Sequence, residues 1–185
     1  MALSPSNMLS LGVTAPDFSL PDTISGGTYS LQDLKGDQAT LVMFICNHCP
    51  YVKHIREELV SLSNDYNPRG IGLVAISSND VENYPEDSPE LMKDEARKYG
   101  YSFPYLYDET QEVAQAYQAA CTPDFYIFNS EMSLVYRGRL DDSSPGNGIP
   151  LTGSDIRQAL DDLIAGNPVS QEQFPSVGCS IKWKE

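Results

Sequence analysis

Thr40-Leu-Val-Met-Phe-Ile-Cys46-Asn-His-Cys49-Pro50-Tyr-Val-Lys-His-Ile-Arg-Glu-Glu-Leu59 is the stretch on which the reading of this chain turns. Leu41 to Ile45 is short and apolar throughout, the pattern of a strand buried on both faces of a sheet. From Pro50, the residues Val52, Ile55, Leu59, Leu62 and Tyr66 recur at steps of three and four, with Lys53, Arg56, Glu57 and Glu58 on other faces. That spacing predicts a helix with one side on the sheet. The cysteines fall at the junction. The reading puts Cys46 at the mouth of the helix, where unpaired N–H groups and the positive end of the macrodipole favour a thiolate, and Cys49 one turn further along. Their spacing lets the sulfurs close a small disulfide ring, with Cys46 expected to attack and Cys49 to resolve. A Cys-x-x-Cys beside a βαβ pattern reads as a redox motif.

Working outward, Ile71-Gly-Leu-Val-Ala-Ile76 is a second apolar strand, joined to the first through the helix and therefore expected to run parallel to it. Ser77 to Pro89 reads as loop, and Ser88 to Gly100 carries the cap, proline and closing-glycine signals of a helix. Tyr105–Tyr107 is a short strand and Glu109 to Ala119 a further helix. Phe125 to Phe128 and Leu134 to Gly138 form a hairpin, 141–153 is loop, and Ser154 to Ile164 is a final helix. Ahead of the central stretch, Phe18 and Leu20 alternate as in a strand, Gly26-Gly27 turns the chain, and Ser30 caps one helical turn. The expected organisation is one domain, 8–168, followed by a tail, 169–185, with no clear period.

Composition narrows the function classes. The chain has 185 residues with a formal charge of −14, which argues against broad electrostatic binding to nucleic acid or an anionic membrane. No apolar run is long enough to cross a bilayer. Residues 1–9 lack the basic flank and apolar core of a secretory leader, so the expected location is the cytoplasm. Four cysteines without a leader suit redox or metal chemistry better than a structural disulfide framework.

Gly12, Ala15-Pro16-Asp17-Phe18 and Leu20, then Ser30-Leu31 and Asp33-Leu34-Lys35-Gly36, then an apolar strand ending in a cysteine, resemble the AhpC/TSA peroxiredoxin and TlpA-like branch of the thioredoxin-like superfamily. Within it, Cys46-Asn-His-Cys-Pro-Tyr-Val-Lys53 is similar to a group of thioredoxin-like or peroxiredoxin-like proteins of unassigned substrate. The resemblance implies a thioredoxin-like α/β fold, a central mixed β-sheet flanked by helices, with an N-terminal hairpin and a peroxiredoxin/TlpA-type insertion before Pro123. It also implies that Pro123 forms a cis-proline loop facing the cysteines, where backbone groups pair with an extended substrate; otherwise Pro123 reads as an ordinary trans proline entering a strand.

The other candidates carry two readings each. His48, as a cation, would stabilise the Cys46 thiolate; otherwise it is a loop side chain facing solvent. His54 reads as a partly exposed helix residue. Cys121, two before Pro123, lies near the active disulfide in the expected fold, and otherwise is a small buried hydrophobe. Cys179, close to Trp183, either resolves an oxidised Cys46 from the tail or is a passive thiol covered by the tail.

The favoured reading is a thiol–disulfide oxidoreductase without cofactor or metal. Its partners would be a disulfide- or thiol-bearing protein or small molecule and an unidentified electron donor. The alternatives are a thiol peroxidase with an antioxidant role, and a copper or zinc module using Cys46, His48 and Cys49. Two departures bear on the ranking. Peroxiredoxins place a Thr or Ser three residues before the peroxidatic cysteine, where this chain has Met43, so the hydroxyl that positions a peroxide is expected to be absent. Met43 also stands roughly where thioredoxins carry a buried acid, so a proton leaving Cys49 must use another group or water.

Overall fold

A computed structural model describes residues 3–185; Met1 and Ala2, part of the stretch read for a leader, lie outside it. Leu3–Pro5 is strand β1. A hairpin of β2 (Ser19–Pro21) and β3 (Thr28–Ser30) leads into the one-turn helix α1 (Leu31–Leu34). There Ser30 and Asp33 form a reciprocal capping box, as the Ser30 reading expects. The unit β4 (Ala39–Phe44), α2 (Pro50–Tyr66), β5 (Ile71–Ser77) follows, then α3 (Pro89–Tyr99), β6 (Tyr105–Tyr107) and α4 (Glu112–Ala116). The chain closes with β7 (Cys121–Thr122), β8 (Asp124–Asn129), β9 (Leu134–Gly138), α5 (Ser154–Ala165) and β10 (Val177–Ser180).

The central sheet has the order β6-β5-β4-β8-β9, with β4, β5 and β6 parallel, β8 antiparallel to β4, and β9 antiparallel to β8. This is the mixed α/β arrangement expected. Every residue of β4 is buried, which is why its sequence shows no alternation. Alternate side chains nevertheless serve two cores. Ala39, Leu41 and Met43 pack with Val52, Ile55 and Leu59 of α2, while Val42 and Phe44 pack with Phe18, Leu20 and Tyr117. Thr40 is the polar member, and its hydroxyl accepts from the Gly36 N–H at 3.1 Å, tying β4 to the preceding loop.

Three expectations change. Arg56 is buried rather than on an outer face of α2; it pairs with Glu95 of α3 and lies over the Tyr99 ring, 3.9 Å from its centroid. The helix expected over 109–119 shrinks to Glu112–Ala116, because the Asp108 carboxylate accepts from the N–H groups of Val113 and Ala114 and Gln111 and Gln118 take left-handed backbone (φ 66° and 52°). The tail also joins the fold. Strand β10 lies between β1 and β7 in a second sheet, with Cys179 opposite both Leu3 and Thr122. Four residues are too few to leave a period in sequence. Among the described residues no helix is long and apolar enough to cross a membrane.

Candidate active site

Strand β4 ends at Phe44, and the chain turns through Ile45 to Cys49 before Pro50 opens α2 at its first position. Pro50 fits there because the missing N–H would be unpaired in any case. Cys49 is therefore the cap of α2, and Cys46 lies one turn outside it. This corrects the sequence reading, which put Cys46 at the helix mouth and Cys49 within the helix; the proline sets the start later than the cysteine spacing suggested.

The turn is fixed from outside. Tyr105 donates to the Asn47 side-chain oxygen at 2.9 Å, and the Asn47 amide donates to the Glu86 carbonyl at 3.0 Å. Asp87, in the stretch read as loop, is buried and holds the turn through its carboxylate. It accepts from the N–H groups of Asn47 (2.8 Å) and His48 (3.2 Å), from the Asn79 amide (2.8 Å), and meets His48 Nδ1 at 2.5 Å. Burial alone would raise the Asp87 carboxyl, but the bonds from His48 and Asn79 hold it below its ordinary value. The Asp87 bond in turn raises His48. That shift favours the cation the sequence allowed, but the group facing it is Asp87, and the ring stacks on Tyr84 with centroids 5.7 Å apart. Asp87 was missed because its role needs a loop folded back over the turn.

Across from the cysteines stands the Thr122–Pro123 bond, which is cis. Thr122 uses both its polar ends: its hydroxyl lies 3.4 Å from Cys46 Sγ, and its carbonyl lies 3.3 Å from Cys49 Sγ, where it accepts from Cys49 only while that sulfur is protonated. Position 43 offers Cys46 no hydroxyl, as expected, with Met43 buried in the core; the hydroxyl beside Cys46 is a different one, that of Thr122 on β7. A fourth side reaches Cys49 from the tail, with Cys179 Sγ 2.7 Å from Cys49 Sγ. None of the four cysteines is joined in a disulfide, and all are buried.

The electrostatics of the two thiols are opposed. The Cys46 thiol donating to Cys49 raises Cys46 well above the ordinary thiol range, helped by burial and by Asp87. That same bond lowers Cys49 to about 5 against the cost of burial, with the Cys179 thiol and the Val52 N–H of the first helical turn adding to it. One proton leaves this pair easily and the second is held. These neighbours favour the first charge on Cys49, at the cap of α2, where the sequence reading favoured Cys46.

The remaining candidates sort simply. Cys121 is buried, its Sγ 3.6 Å from the Pro123 carbonyl, and burial with the nearby Asp124 pushes its thiol up. His54 lies further along α2 and pairs with the Ser143 hydroxyl at 3.1 Å. Asp124, missed in sequence, is a buried carboxyl raised by burial to about 7 despite a 2.8 Å bond from Ser6, and it sits beside Cys121. For a metal, the atoms brought within 4.8 Å of one another belong to Cys46, His48 and Asp87, not to the Cys46, His48 and Cys49 set read from sequence. There His48 Nδ1 pairs with Asp87, while His48 Nε2 is buried without a hydrogen-bond partner among the described residues.

A paired-cysteine turn at the start of a long helix, facing a cis-proline loop across a mixed sheet, defines a thioredoxin-like protein with a dithiol site. The AhpC/TSA family profile matches residues 11–137, and the chain belongs to that family. Over its full length it is similar to an uncharacterized conserved protein from Geobacillus kaustophilus, with 62% identity over 100% of this chain and 97% of that one and a TM-score of 0.98. A hypothetical protein from Sinorhizobium meliloti 1021 shares 48% identity over 98% of each chain, with a TM-score of 0.95. Among curated relatives, the thiol-disulfide oxidoreductase ResA of Bacillus subtilis is 27% identical over 132 residues. That match takes in 69% of this chain and 66% of the relative, so the chain spans just under two thirds of the relative's length.

Proposed function

We propose that this protein is a thiol–disulfide oxidoreductase working through Cys46 and Cys49. The observation that carries the reading is Thr122, which faces the two sulfurs with a hydroxyl at 3.4 Å and a carbonyl at 3.3 Å, next to the cis proline. The name of the Bacillus subtilis relative supports it. Both sulfurs are buried, so the site must open to an incoming disulfide; Cys46, on the turn ahead of the helix, is assigned the attack, and Cys49, packed against its helix, Thr122 and Cys179, the resolving role. Cys46 passes its proton to the Cys49 thiolate, and the Thr122 hydroxyl turns to donate to the new Cys46 thiolate. Cys46 then attacks one substrate sulfur, the substrate S–S bond breaks, and the other sulfur leaves as thiolate. With the charge gone from Cys46, Cys49 ionises again at the helix cap and attacks Cys46 Sγ. The second substrate thiolate leaves, and a Cys46–Cys49 disulfide remains. Two electrons have moved to the substrate, to be restored by a thiol donor. Since Met43 stands where a buried acid would accept it, the proton that Cys49 gives up before its attack goes to water or to the departing substrate thiolate.

Because the first proton leaves at about 5, reduction of a protein disulfide with dithiothreitol as donor is expected to proceed at a nearly level rate over pH 6–8, once the donor's own titration is subtracted. An ordinary thiol would gain close to tenfold per pH unit until about 8.5. A rate climbing with that slope would mean that no low-pKa thiol takes part.

Peroxidase activity is the second reading, favoured by the Thr122 hydroxyl beside Cys46. It would oxidise Cys46 to a sulfenic acid that Cys49 traps as a disulfide with loss of water. Peroxide turnover is expected to be slower than disulfide exchange, since Thr122 also serves the resolving thiol. Parallel assays with hydrogen peroxide and a protein disulfide compare the two, and faster peroxide consumption that vanishes in Cys46→Ser would reverse the order.

A further inference from the structure

We infer that Cys179 is a third redox thiol of this site, which exchanges with the Cys46–Cys49 disulfide by attacking Cys49. The inference rests on the thiol–disulfide reading above and extends it to the tail. Strand β10 brings the sulfur there by backbone pairing, with Cys179 opposite Thr122 and Ser180 opposite Cys121. Gly178 lets the strand come that close: a Cβ at this position would lie 2.0 Å from the Thr122 carbonyl oxygen and 3.2 Å from Pro123 Cδ. Pairing with β1 on the other side and burial of Ile181 in the core hold β10 in place. The outcome is two sulfurs 2.7 Å apart, from residues 130 positions apart in sequence.

The step balances without an outside oxidant. Cys179 loses its proton to solvent and its thiolate attacks Cys49 Sγ. The Cys49–Cys179 bond forms as the Cys46–Cys49 bond breaks, and Cys46 leaves as a thiolate that takes up a proton. No electrons are gained or lost. The oxidised site then exists as two disulfide isomers, one of which returns Cys46 to the thiol state while Cys49 stays oxidised. The state of the pair gates the exchange. In the reduced protein, burial and the neighbouring Cys49 push the Cys179 thiol up to about 12, keeping it protonated. Oxidation removes the part of that rise due to Cys49, so the Cys179 thiol comes down from its reduced-state value, with burial still holding it up and Lys182 opposing.

Tryptic mapping separates the isomers, because Cys46 and Cys49 share peptide 36–53 while Cys179 lies in 158–182. Full-length protein at low micromolar concentration is oxidised with one equivalent of diamide, alkylated and digested without reductant. The expected map contains both the bond internal to 36–53 and a link from 36–53 to 158–182. A wild-type map with the internal bond alone overturns the inference. Cys46→Ser, checked for folding by its thermal melt, is expected to lose two of its three remaining thiols to diamide as a monomer, whereas Cys46→Ser/Cys179→Ser loses none. A folded Cys46→Ser that keeps all three, or that forms only intermolecular disulfides, likewise overturns it. The result is separable from the proposed activity. A cross-linked protein inactive on substrate disulfides sinks the oxidoreductase reading alone, and an active one with only the internal bond sinks the Cys179 role alone.

Discussion

Cys49→Ser is expected to convert the protein into a trap. Cys46 still faces the Thr122 hydroxyl and still attacks, with water or buffer taking the proton that Cys49 would have accepted. What is lost is the internal thiol that releases the partner. An intramolecular thiol held against its target has an effective concentration far above any millimolar reductant, so release should slow on the order of 10³-fold or more. Substrate proteins should therefore accumulate as adducts on a non-reducing gel and disappear when dithiothreitol is added in excess. Cys46→Ser should yield none. If the adducts form on Cys46→Ser instead, Cys49 is the attacking sulfur, and the assigned roles are reversed.

Asp87→Ala should be the most damaging single change at the site outside the cysteines. The carboxylate has no exposed surface and gathers the His48 ring, two backbone N–H groups and the Asn79 amide. Removing it leaves a half-buried imidazole without its counter-charge and three donors without an acceptor. Breaking a buried pair in this way costs about 3–5 kcal/mol, which for a domain of this size lowers the melting temperature by roughly 6–20 °C. The effect should depend on pH with a definite sign. His48 is raised by Asp87, so its contribution is complete below its unfolded value of about 6.5 and is lost as pH rises through the higher folded value. Asp87 is lowered, so its contribution is present above about 3.9 and is lost as pH falls through the folded value. The gap in melting temperature between wild type and Asp87→Asn, which keeps the shape but not the charge, should be widest between those limits and narrow on the alkaline side. A gap independent of pH would mean that the pair carries no charge in the folded protein.

The order of elements and the location of the dithiol were legible along the chain because they rest on local rules. A run of apolar residues, a three-and-four periodicity and a proline that can open a helix each act over a few residues, and together they placed β4, α2, β5 and the cysteine turn. The resemblance carried by Gly12 to Gly36 added the cis-proline loop. What the sequence could not supply was the chemistry of each sulfur, because that depends on what lies across from it. Asp87 reaches the turn from 39 residues away, Thr122 from 76 and Cys179 from 130. The spacing Cys46-x-x-Cys49 is compatible with charge on either thiol. The start of α2 at Pro50 and the sulfurs of Cys46 and Cys179 favour it on Cys49. The tail shows the same division: four residues of β10 carry no period, and Cys179 becomes part of the site only through antiparallel pairing with β7 and the close approach that Gly178 permits. Local sequence determined that two cysteines stand at a strand-to-helix turn, and tertiary structure decided what faces each sulfur and that a third lies against Cys49, because contacts are set by neighbours that the chain supplies from far away.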